Sequence, residues 1–494
     1  MISQDLNQNI NYLTYLNDKN RLLCILNKKQ KIIDDYKTKY NVMQQRTKEW
    51  YSIRKTTIGG SEISTILGLN PFKNLKALIA EKIGLSKFEG NDATRWGTMF
   101  EDITKQWTEK CLLMSNNITE IGNIEGIHSR QRYSPDGIGV VKLKTEIKIQ
   151  NEIIETEDYF IVLFEFKSPF KSIPEQKVPK YYLPQVLTGL LNINITEVGI
   201  FVNNSYRKCP LNYLDEKNYD KILYDDKFHI DKNKKTDKSK KFNNVLGYGI
   251  IYFYQNKNDL FIEDNISVDT NNLNNLNNTN DFNNLNNDYE KNNQDTILIN
   301  SYSSEYDDIE YMNKIENLDQ LNNLIDFGSS NYFIMNEMLK LYDKKRIKVK
   351  YLPLSLIGKN ILSEIEFLEL HNKNYDHKLY TIEEYKKIIL NIIKKNIIND
   401  YPIGYLPFKV LKSDILLVNK DNEWENKITN KVNETLNTLD TIMNDKNPIL
   451  KYKSMFNIVD ENENLENELD NLDKLDKLDN ELELMDEIFK KINI

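Results

Sequence analysis

The fold is decided by the stretch YFIVLFEFK at residues 159–167, taken together with YSPDGIG at 133–139. The first is an apolar run that ends in two charged residues, Glu165 and Lys167, and the second sets Asp136 in a turn sequence before another apolar run. Runs rich in Val, Ile and aromatic residues predict buried neighbouring strands. Because side-chain direction repeats every second residue, Glu165 and Lys167 should share one face of their strand.

These three charged residues suggest a chemistry as well as a fold. A charged residue at the end of so apolar a strand needs a partner or a metal, because a buried unpaired charge is costly. Two carboxylates at strand ends can bind a hard cation such as Mg²⁺ and leave positions for water and phosphate. Lys167 would place an ammonium beside that cation, where it can lower the pKa of a water, orient it or neutralise charge on phosphorus. Taken singly, Asp136 also fits a turn residue, and Glu165 with Lys167 an exposed ion pair.

Helical patterns surround the two strands. GGSEISTILGLNPF at 59–72 predicts a helix with Ser61 as its N-cap, and PEQKVPKYYLPQVLTGLLNI at 174–193 predicts one that begins near Pro184. DATRWGTMFEDITKQWTEK at 92–110 predicts an amphipathic helix with one apolar stripe: Trp96, Phe100, Ile103 and Trp107. The order of helix, helix, strands, helix and strand predicts an α/β fold with a mixed central sheet.

The 494 residues are too many for one ordinary core, so two or three domains are expected. An Asn-dominated tract cannot bury enough apolar surface to order itself and predicts a flexible insertion. The expected organisation is a helical N-terminal segment at 1–45, a core at 46–260, the Asn-rich insertion at 261–300, a mixed strand and helix region at 301–457, and an acidic amphipathic helix at 458–494.

The net charge of −8 is a property of the C-terminal tail. Residues 460–487 hold 13 acidic and 2 basic residues, which leaves the rest of the chain slightly positive and compatible with a basic groove. Leucines recur every three or four residues in this tail, so it predicts an amphipathic helix that needs a partner. That partner is expected to be a basic surface, either the Lys-rich N-terminal helix of the same or another copy of the chain or a separate protein.

Cysteine usage and hydropathy exclude several classes. Three distant cysteines, Cys24, Cys111 and Cys209, predict neither a disulfide framework nor a zinc knuckle, and they are too few for a four-cysteine iron–sulfur cluster. The sequence shows no apolar run of membrane-spanning length and no signal-peptide pattern at its start. The expectation is a soluble intracellular protein that does not contact a membrane.

Four motifs in order resemble a known nuclease family. WYSIRKTTIGGSEISTILGLNPF, RWGTMFED, the SPDG and EFK pair, and YYLPQVLTGL are similar to the YqaJ and lambda-exonuclease branch of the PD-(D/E)xK nucleases. The resemblance covers roughly residues 45–205. It implies a restriction-endonuclease-like core that cleaves DNA with Mg²⁺ or Mn²⁺.

The resemblance also implies roles for single residues. One or two metal ions would be held by oxygen ligands: Glu101, Asp136, Glu165 and the backbone carbonyl of Phe166. Lys167 would assist the nucleophilic water, and Gln185 would orient the lysine or the water. A pocket for a terminal 5′-phosphate would use Arg54, Ser61 and Ser134. Gly59 departs from the family, because exonucleases with an ITAS version of this loop carry threonine there, and this puts strict dependence on DNA ends in question.

The resulting expectation is a 5′-end-directed DNA exonuclease, with endonuclease activity as a further expectation, in viral DNA processing, recombination or defence. Its expected partners are DNA, further copies of itself, and a helicase or recombinase. Its expected location is a viral factory, the host cytoplasm or the virion. One alternative is a catalytically degenerate nuclease fold that binds DNA and recruits a helicase or recombinase. A second alternative is a structural viral protein, which only the unexplained C-terminal half favours.

Overall fold

A computed structural model describes residues 18–40, 47–86, 90–128, 130–149, 152–214, 246–257, 314–321, 324–356 and 380–458. The Asn-rich insertion predicted at 261–300 lies outside these residues, as does the acidic helix predicted at 458–494 apart from its first residue. Within the described ranges, no helix has the length and hydropathy needed to cross a membrane.

A mixed sheet forms the centre of the described chain, as the sequence predicts. Its principal strands are β4 (Gly137–Ile149), β5 (Glu152–Lys167), β6 (Val198–Lys208), β7 (Gly247–Asn256), β10 (Ser355–Leu356) and β11 (Asp400–Val418). Their spatial order is β4, β5, β6, β11, β7 and β10, while β8 (Ile325–Asp326) pairs with β11 and β9 (Lys348–Tyr351) pairs with β7. A smaller sheet holds β1 (Ile58–Gly59), β3 (Gln131–Tyr133) and β2 (Ile124–Glu125).

Strands β4 and β5 form a long antiparallel hairpin, and its register brings the two motif segments together. Gly137 pairs with Phe164 at the open end of the hairpin. Asp136 is a bend residue directly before β4, so the hairpin brings it beside Glu165 near the end of β5. On its other side β5 pairs with β6 in parallel.

Helices cover both faces of the sheet. They are α1 (Lys19–Tyr40), α2 (Lys48–Thr56), α3 (Ile63–Ile66), α4 (Leu75–Lys82), α5 (Asp92–Cys111), α6 (Leu183–Asn192), α7 (Tyr332–Asp343), α8 (Ile382–Asn396), α9 (Trp424–Met443) and α10 (Pro448–Met455). Helix α6 carries Pro184 in its first turn, close to the predicted start, where a missing N–H costs nothing. Asn91 caps α5 by accepting a hydrogen bond from the backbone N–H of Thr94.

The alternation of β5 separates two cores. Phe164 and Phe166 pack on one face against α5, whose predicted stripe of Trp96, Phe100, Ile103 and Trp107 is buried there. Leu163 points to the opposite face, where it packs in a cluster with residues of α1, α6 and α9. Since Glu165 and Lys167 have the same parity as Leu163, they project from the face that α6 covers.

The predicted N-cap at Ser61 is wrong. Ser61 is exposed inside a 3₁₀ turn, Gly60–Glu62, whose N-cap is Gly59, and α3 begins only after this turn. The chain tightens here because the Glu62 carboxylate accepts a hydrogen bond from the N–H of Gly59 at 2.8 Å. Gly60 also lies against the ring of Tyr133, where a Cβ atom would come within 2.2 Å.

The C-terminal region shares the central sheet with the predicted core. Strand β11 pairs with β6 along one edge and with β7 along the other, so the sheet crosses the boundary predicted at residue 260. Helix α9 contacts α3 and α6, and together with α10 it packs on α4. Helix α8 packs on the outer part of the sheet, near β7. The other domain boundaries that the sequence suggests stay predictions.

Candidate active site

Glu165 and Lys167 form a buried ion pair at the end of β5. The Lys167 ammonium donates a hydrogen bond to Oε1 of Glu165, and the Tyr133 hydroxyl donates one to Oε2 at 3.2 Å. Glu165 has no exposed surface, whereas Lys167 is half-buried. The lysine also lies over the ring of Tyr182, with Nζ 5.0 Å from the ring centroid. Both charges are therefore held in fixed positions where the strand ends.

Asp136 lies beside this pair, in the turn that leads into β4. Its Oδ2 accepts a hydrogen bond from the backbone N–H of Phe166 at 2.7 Å. The N–H and C=O of a strand residue point to the same edge, so the Phe166 carbonyl is directed to the edge where Asp136 lies. Oxygen atoms of Asp136, Glu165 and Phe166 thus belong to one small region.

The electrostatic balance of the pair of carboxylates favours a further cation. Burial raises the pKa of Glu165, Asp136 raises it further, and the charge and hydrogen bond of Lys167 with the hydrogen bond of Tyr133 only partly oppose this, so that the pKa is about 8. Burial alone would lower the pKa of Lys167, but Glu165 and Asp136 raise it above the ordinary lysine value. One ammonium therefore does not fully compensate the two carboxylates.

The donor set fits a hard divalent cation, since carboxylate and carbonyl oxygens are the ligands that Mg²⁺ and Mn²⁺ take. Among the described residues, however, no group of three or more His, Cys, Asp or Glu side chains is placed to hold a metal. The structure brings Asp136 and Glu165 together and does not gather Glu101 with them.

Glu101 approaches the end of β5 from the other side of the sheet. It lies on α5, half-buried, between Gly97 and Thr104 on the same helix face. Thr104 Oγ1 lies 2.8 Å from Oγ of Ser168, the residue after Lys167, and a Cβ atom at Gly97 would lie 3.9 Å from the Ser168 carbonyl oxygen. Glu101 therefore faces the end of β5 but belongs to the face opposite Glu165, and its role as a metal ligand stays a prediction.

Gln185 lies on the face of α6 that covers the ion pair. Gly189, one turn later, packs so closely on Tyr133 and Leu163 that a Cβ atom there would come within 2.5 Å of each. Residues four apart share a helix face, so Gln185 lies above the same part of β3 and β5. Its side chain is half-buried, and its role in orienting the lysine or a water stays a prediction.

The three residues predicted to bind a terminal phosphate lie around one tryptophan and one small sheet. The Arg54 guanidinium stacks over Trp50 at 4.6 Å, and Trp50 Nε1 donates to Oγ of Ser134 at 3.5 Å. Ser61 follows β1 and Ser134 follows β3, and these strands pair in parallel, so both serines lie at the same end of the small sheet. The structure thus brings the three side chains to one neighbourhood.

A buried ion-pair network beneath this neighbourhood was not predicted. Glu62 accepts hydrogen bonds from Lys82 Nζ at 2.8 Å and from Arg54 Nη2 at 3.1 Å. Lys82 also donates to the backbone carbonyls of Arg54 and Thr57. Burial alone would raise the pKa of Glu62, but the charges of Lys82 and Arg54 with the hydrogen bonds from Lys82 and Gly59 lower it to about 2.

Two aromatic residues of the motifs, Tyr133 and Trp50, contribute to the site although the sequence predicts no role for them. Tyr133 begins the YSPDG segment and donates to Glu165, and Trp50 begins the WYSIR segment and joins Arg54 to Ser134. Their signal in the sequence is an aromatic residue directly beside a motif of small and charged residues. Lys82 carries no such signal, because it lies in an ordinary helix 20 residues after its partner Glu62.

Comparison with protein families supports the resemblance read from the motifs. Residues 49–196 match the family model of the YqaJ-like viral recombinase domain. This segment contains every residue predicted for the site and excludes β6, β7, β11 and α7 to α10. The predicted resemblance is confirmed for this part of the chain.

The curated relatives that match the chain are proteins of African swine fever virus. The chain is 36% identical over 186 residues to a protein of the strain Badajoz 1971 Vero-adapted, across 35% of this chain and 54% of the relative. It is 37% identical over 182 residues to the same protein of isolate Tick/Malawi/Lil 20-1/1983, across 35% of this chain and 52% of the relative. The matched part thus spans about half the length of these relatives.

Solved structures of an alkaline exonuclease from Laribacter hongkongensis are also similar over part of the chain. One structure has a TM-score of 0.23 and 20% identity and covers 32% of this chain and 74% of that chain. A second, in complex with dAMP, has a TM-score of 0.24 and 18% identity and covers 32% of this chain and 73% of that chain.

Proposed function

We propose that this protein is a DNA nuclease that depends on Mg²⁺ or Mn²⁺ and degrades DNA from 5′ ends. The observation that carries the proposal is the fully buried Glu165, which is held by Lys167 and Tyr133 and lies beside Asp136. The charge of Lys167 does not fully compensate the carboxylates of Asp136 and Glu165, and a divalent cation would stabilise this arrangement. The match of residues 49–196 to a viral recombinase domain supports the same conclusion.

The proposed metal ligands are Asp136, Glu165 and the Phe166 carbonyl, and the family resemblance adds Glu101 as a further proposed ligand. One or two Mg²⁺ or Mn²⁺ ions bound there would supply positive charge for an attacking water and for the scissile phosphate. The hard oxygen donors and the absence of a four-cysteine set in the sequence both argue against an iron–sulfur cluster at this site.

Lys167 is the proposed catalytic cation of the chain itself. Its raised pKa keeps the side chain an ammonium at neutral pH, so it donates hydrogen bonds and does not accept them. One of its three N–H groups is used by Glu165, which leaves others to orient a water or to contact a phosphate oxygen. Gln185 is proposed to assist this orientation from α6. No covalent intermediate is required, because water is the nucleophile.

The proposed 5′-phosphate pocket consists of Arg54, Ser61 and Ser134. A guanidinium has five N–H donors, and the hydrogen bond to Glu62 uses one of them, so donors remain for a terminal phosphate. Gly59 offers no hydroxyl at the position where related exonucleases carry threonine. The pocket is therefore proposed to favour 5′-phosphate ends and to tolerate internal cleavage as a secondary activity.

The experiment that tests this function is a digestion of matched linear, nicked and circular duplex DNA with Mg²⁺, Mn²⁺, Ca²⁺ or EDTA. Loss of linear DNA in Mg²⁺ or Mn²⁺ but not in EDTA, with circular DNA degraded more slowly, is the expected result. Metal-independent cleavage would contradict the proposed chemistry. Equal rates of cleavage of circular and linear DNA would show that the protein is an endonuclease and not an exonuclease.

A second candidate is a nuclease fold that has lost cleavage and binds DNA while it recruits a helicase or recombinase. It is favoured by the lack of a third carboxylate beside Asp136 and Glu165 in the described part of the chain. DNA binding without cleavage in every metal would select this candidate.

The biological setting is part of the proposal. We place the protein inside an infected cell, in a viral factory, the host cytoplasm or the virion, where it acts on viral DNA as a homo-oligomer or with a helicase or recombinase. The abundance of Asn, Lys and Ile resembles that of giant DNA virus proteins. From this composition together with the domain type, we propose that the protein is the nuclease of the mimivirus virophage-resistance element.

A further inference from the structure

The loops on the two sides of the active site each contain a residue in the left-handed backbone region. Arg130 has φ 68° in the turn between β2 and β3, and Gln176 has φ 58° in the loop between β5 and α6. For residues other than glycine, Asn and Asp this region carries a steric cost in free energy, so surrounding contacts contribute to holding a residue there. An acid of the C-terminal region contacts each of the two residues, and the carbonyl of Arg130 also accepts a hydrogen bond from the N–H of Ile58 at 2.8 Å.

Arg130 is held by Asp440 on α9. Its Nη1 donates to both carboxylate oxygens of Asp440, at 2.8 and 2.7 Å, and its Nε donates to the Thr56 carbonyl at 2.7 Å. Thr56 ends α2, the helix that carries Arg54. The same ion pair thus ties α9 both to the turn before Tyr133 and to the helix of the proposed phosphate pocket.

Gln176 is held by Asp414 on β11, whose Oδ2 accepts the backbone N–H of Gln176. Asp414 is only 3% exposed, whereas Gln176 is exposed, so this hydrogen bond ties a surface loop to a buried side chain of the sheet. The loop that contains Gln176 begins directly after Lys167 and ends at Tyr182, the ring beneath the lysine ammonium. A change in its path would therefore move a direct neighbour of the proposed catalytic lysine.

Other contacts fix β11 and α9 in place. Ser413, next to Asp414, accepts a hydrogen bond from Trp107 Nε1 at 2.9 Å and donates one to Asn204 at 2.7 Å. Trp424 at the start of α9 donates from Nε1 to Thr188 on α6 at 3.0 Å. Asp414 thus projects from a strand inside the central sheet, and Asp440 projects from a helix that packs on α6.

We propose that β11 and α9, which lie outside the matched residues 49–196, form part of the active site's architecture, with Asp414 and Asp440 as positioning residues for its two loops. This inference rests on the proposed nuclease function. Neither acid touches the site; each acts through a residue that it holds in the left-handed region. The C-terminal region is then required for catalysis by the nuclease core and is more than an attached module.

The test compares Asp414→Ala and Asp440→Ala in the full-length protein with Glu434→Ala as a matched control. Glu434 is an exposed acid on α9 whose partner, Lys431, lies on the same helix, so its loss affects neither loop. Hydrogen exchange is followed at the Gln176 amide for one loop. For the other it is followed at the amides of Gln131 and Ile58, which bond to the His128 and Arg130 carbonyls. Cleavage of 5′-phosphorylated duplex is measured in parallel.

Faster exchange is expected only in the loop whose acid is removed, with kcat lowered about tenfold, KM nearly unchanged and the melting temperature of each variant close to that of the control. Gln176→Gly should restore part of the lost kcat in the Asp414→Ala background, because glycine adopts the left-handed region without help. Arg130→Gly should do the same in the Asp440→Ala background.

Two results would overturn the inference. One is unchanged exchange in both loops after removal of the acids. The other is a loss of kcat in proportion to the loss of melting temperature that the Gln176→Gly and Arg130→Gly substitutions do not restore. That result would show that the acids only stabilise the fold. If the wild-type protein cleaves no DNA in any metal, the proposed function fails by itself. The exchange measurements still decide then whether the acids hold the loops.

Discussion

The hydroxyl of Tyr133 donates a hydrogen bond to Oε2 of Glu165 at 3.2 Å, although the two residues belong to different sheets. Both side chains are at most 2% exposed. This bond joins the small sheet, at whose end Ser134 and Ser61 lie, to the strand that carries the proposed metal ligand. The buried hydrogen bond between Tyr133 and Glu165 therefore fixes the position of the proposed phosphate pocket relative to the proposed metal site.

Tyr133→Phe removes this bond and leaves the ring packing intact. We expect a loss of about 1 kcal/mol in the free energy of unfolding, because a buried carboxylate oxygen loses one donor. Cleavage should slow by roughly tenfold, since Glu165 gains freedom to move from its bonded position. Chemical denaturation and initial rates in Mg²⁺ measure the two effects, and a rate equal to that of wild type would show that the bond is structural only.

Glu165→Gln and Lys167→Ala should each reduce cleavage by roughly a thousandfold or more, because the first removes a charged metal ligand and the second removes the charge beside the water. DNA binding should survive, since neither change touches the proposed phosphate pocket. Initial rates and binding titrations at one salt concentration give the two quantities. Lys142→Ala is a suitable control, because it removes a comparable lysine–glutamate pair between β4 and β5 away from the site. Near wild-type digestion by either site variant would show that the residues are wrongly assigned.

Ca²⁺ should support DNA binding but not cleavage. Its oxygen contacts are longer and its geometry looser than those of Mg²⁺, so a water held beside Lys167 would be misplaced for attack. Binding measured in Ca²⁺ and in EDTA, followed by addition of Mg²⁺, tests this expectation. Rapid cleavage in Ca²⁺ would argue that the site does not depend on exact placement of the ion.

Sequence patterns predicted the central part of this arrangement because it depends on short-range rules. The two-residue period predicts Glu165 and Lys167 on one face, where they form their hydrogen bond. The apolar runs predict neighbouring strands for the two motif segments, and these strands pair as β4 and β5. The stripe from Trp96 to Trp107 was correct for the same kind of reason. In each case the spacing within one element determines the outcome.

The remaining features depend on contacts between distant parts of the chain. Strand β11 enters the sheet nearly 200 residues after β6, and nothing in its sequence indicates which strand it joins. The cap predicted at Ser61 is wrong because the Glu62 side chain bonds to the Gly59 N–H in its place. The burial of Glu62 with Lys82 cannot be predicted from one sequence. Glu101 was expected beside Asp136 and Glu165, but α5 covers the opposite face of β5.

Glu62 should make stability depend on pH in acid. Its pKa of about 2 lies below the value of 4.5 for an unperturbed glutamate, so the folded state holds the carboxylate in its charged form. A lowered folded pKa contributes stability that is fully present above pH 4.5 and is lost as the pH falls towards 2, by about 3 kcal/mol in total. Glu62→Gln should be destabilised by about 3–5 kcal/mol at neutral pH, because Lys82 remains buried without its partner.

Urea unfolding of wild type and Glu62→Gln between pH 2 and 7 tests this prediction. The stability of the variant should change less steeply than that of wild type in the window between pH 4.5 and 2, since the titrating group is gone. Glu81→Gln on α4 serves as a control, because its ion pair with Lys73 is partly exposed. Parallel pH profiles of wild type and Glu62→Gln would contradict the lowered pKa.

Arg54→Ala should reduce cleavage most on DNA that carries a 5′-phosphate. A guanidinium holds a terminal phosphate by two charge-assisted hydrogen bonds, whereas an internal phosphodiester offers less charge and a hydroxyl end offers none. Because Arg54 also bonds to Glu62, part of the effect will be a loss of stability that is equal for all substrates. The ratio of rates on phosphorylated and hydroxyl-ended duplexes cancels that common part. We expect this ratio to fall severalfold for Arg54→Ala, with Arg54→Lys in between because an ammonium keeps the charge but loses the fork. An unchanged ratio, with an equal loss of cleavage rate on circular DNA, would show that Arg54 does not bind a terminal phosphate. The protein would then be assigned as an endonuclease.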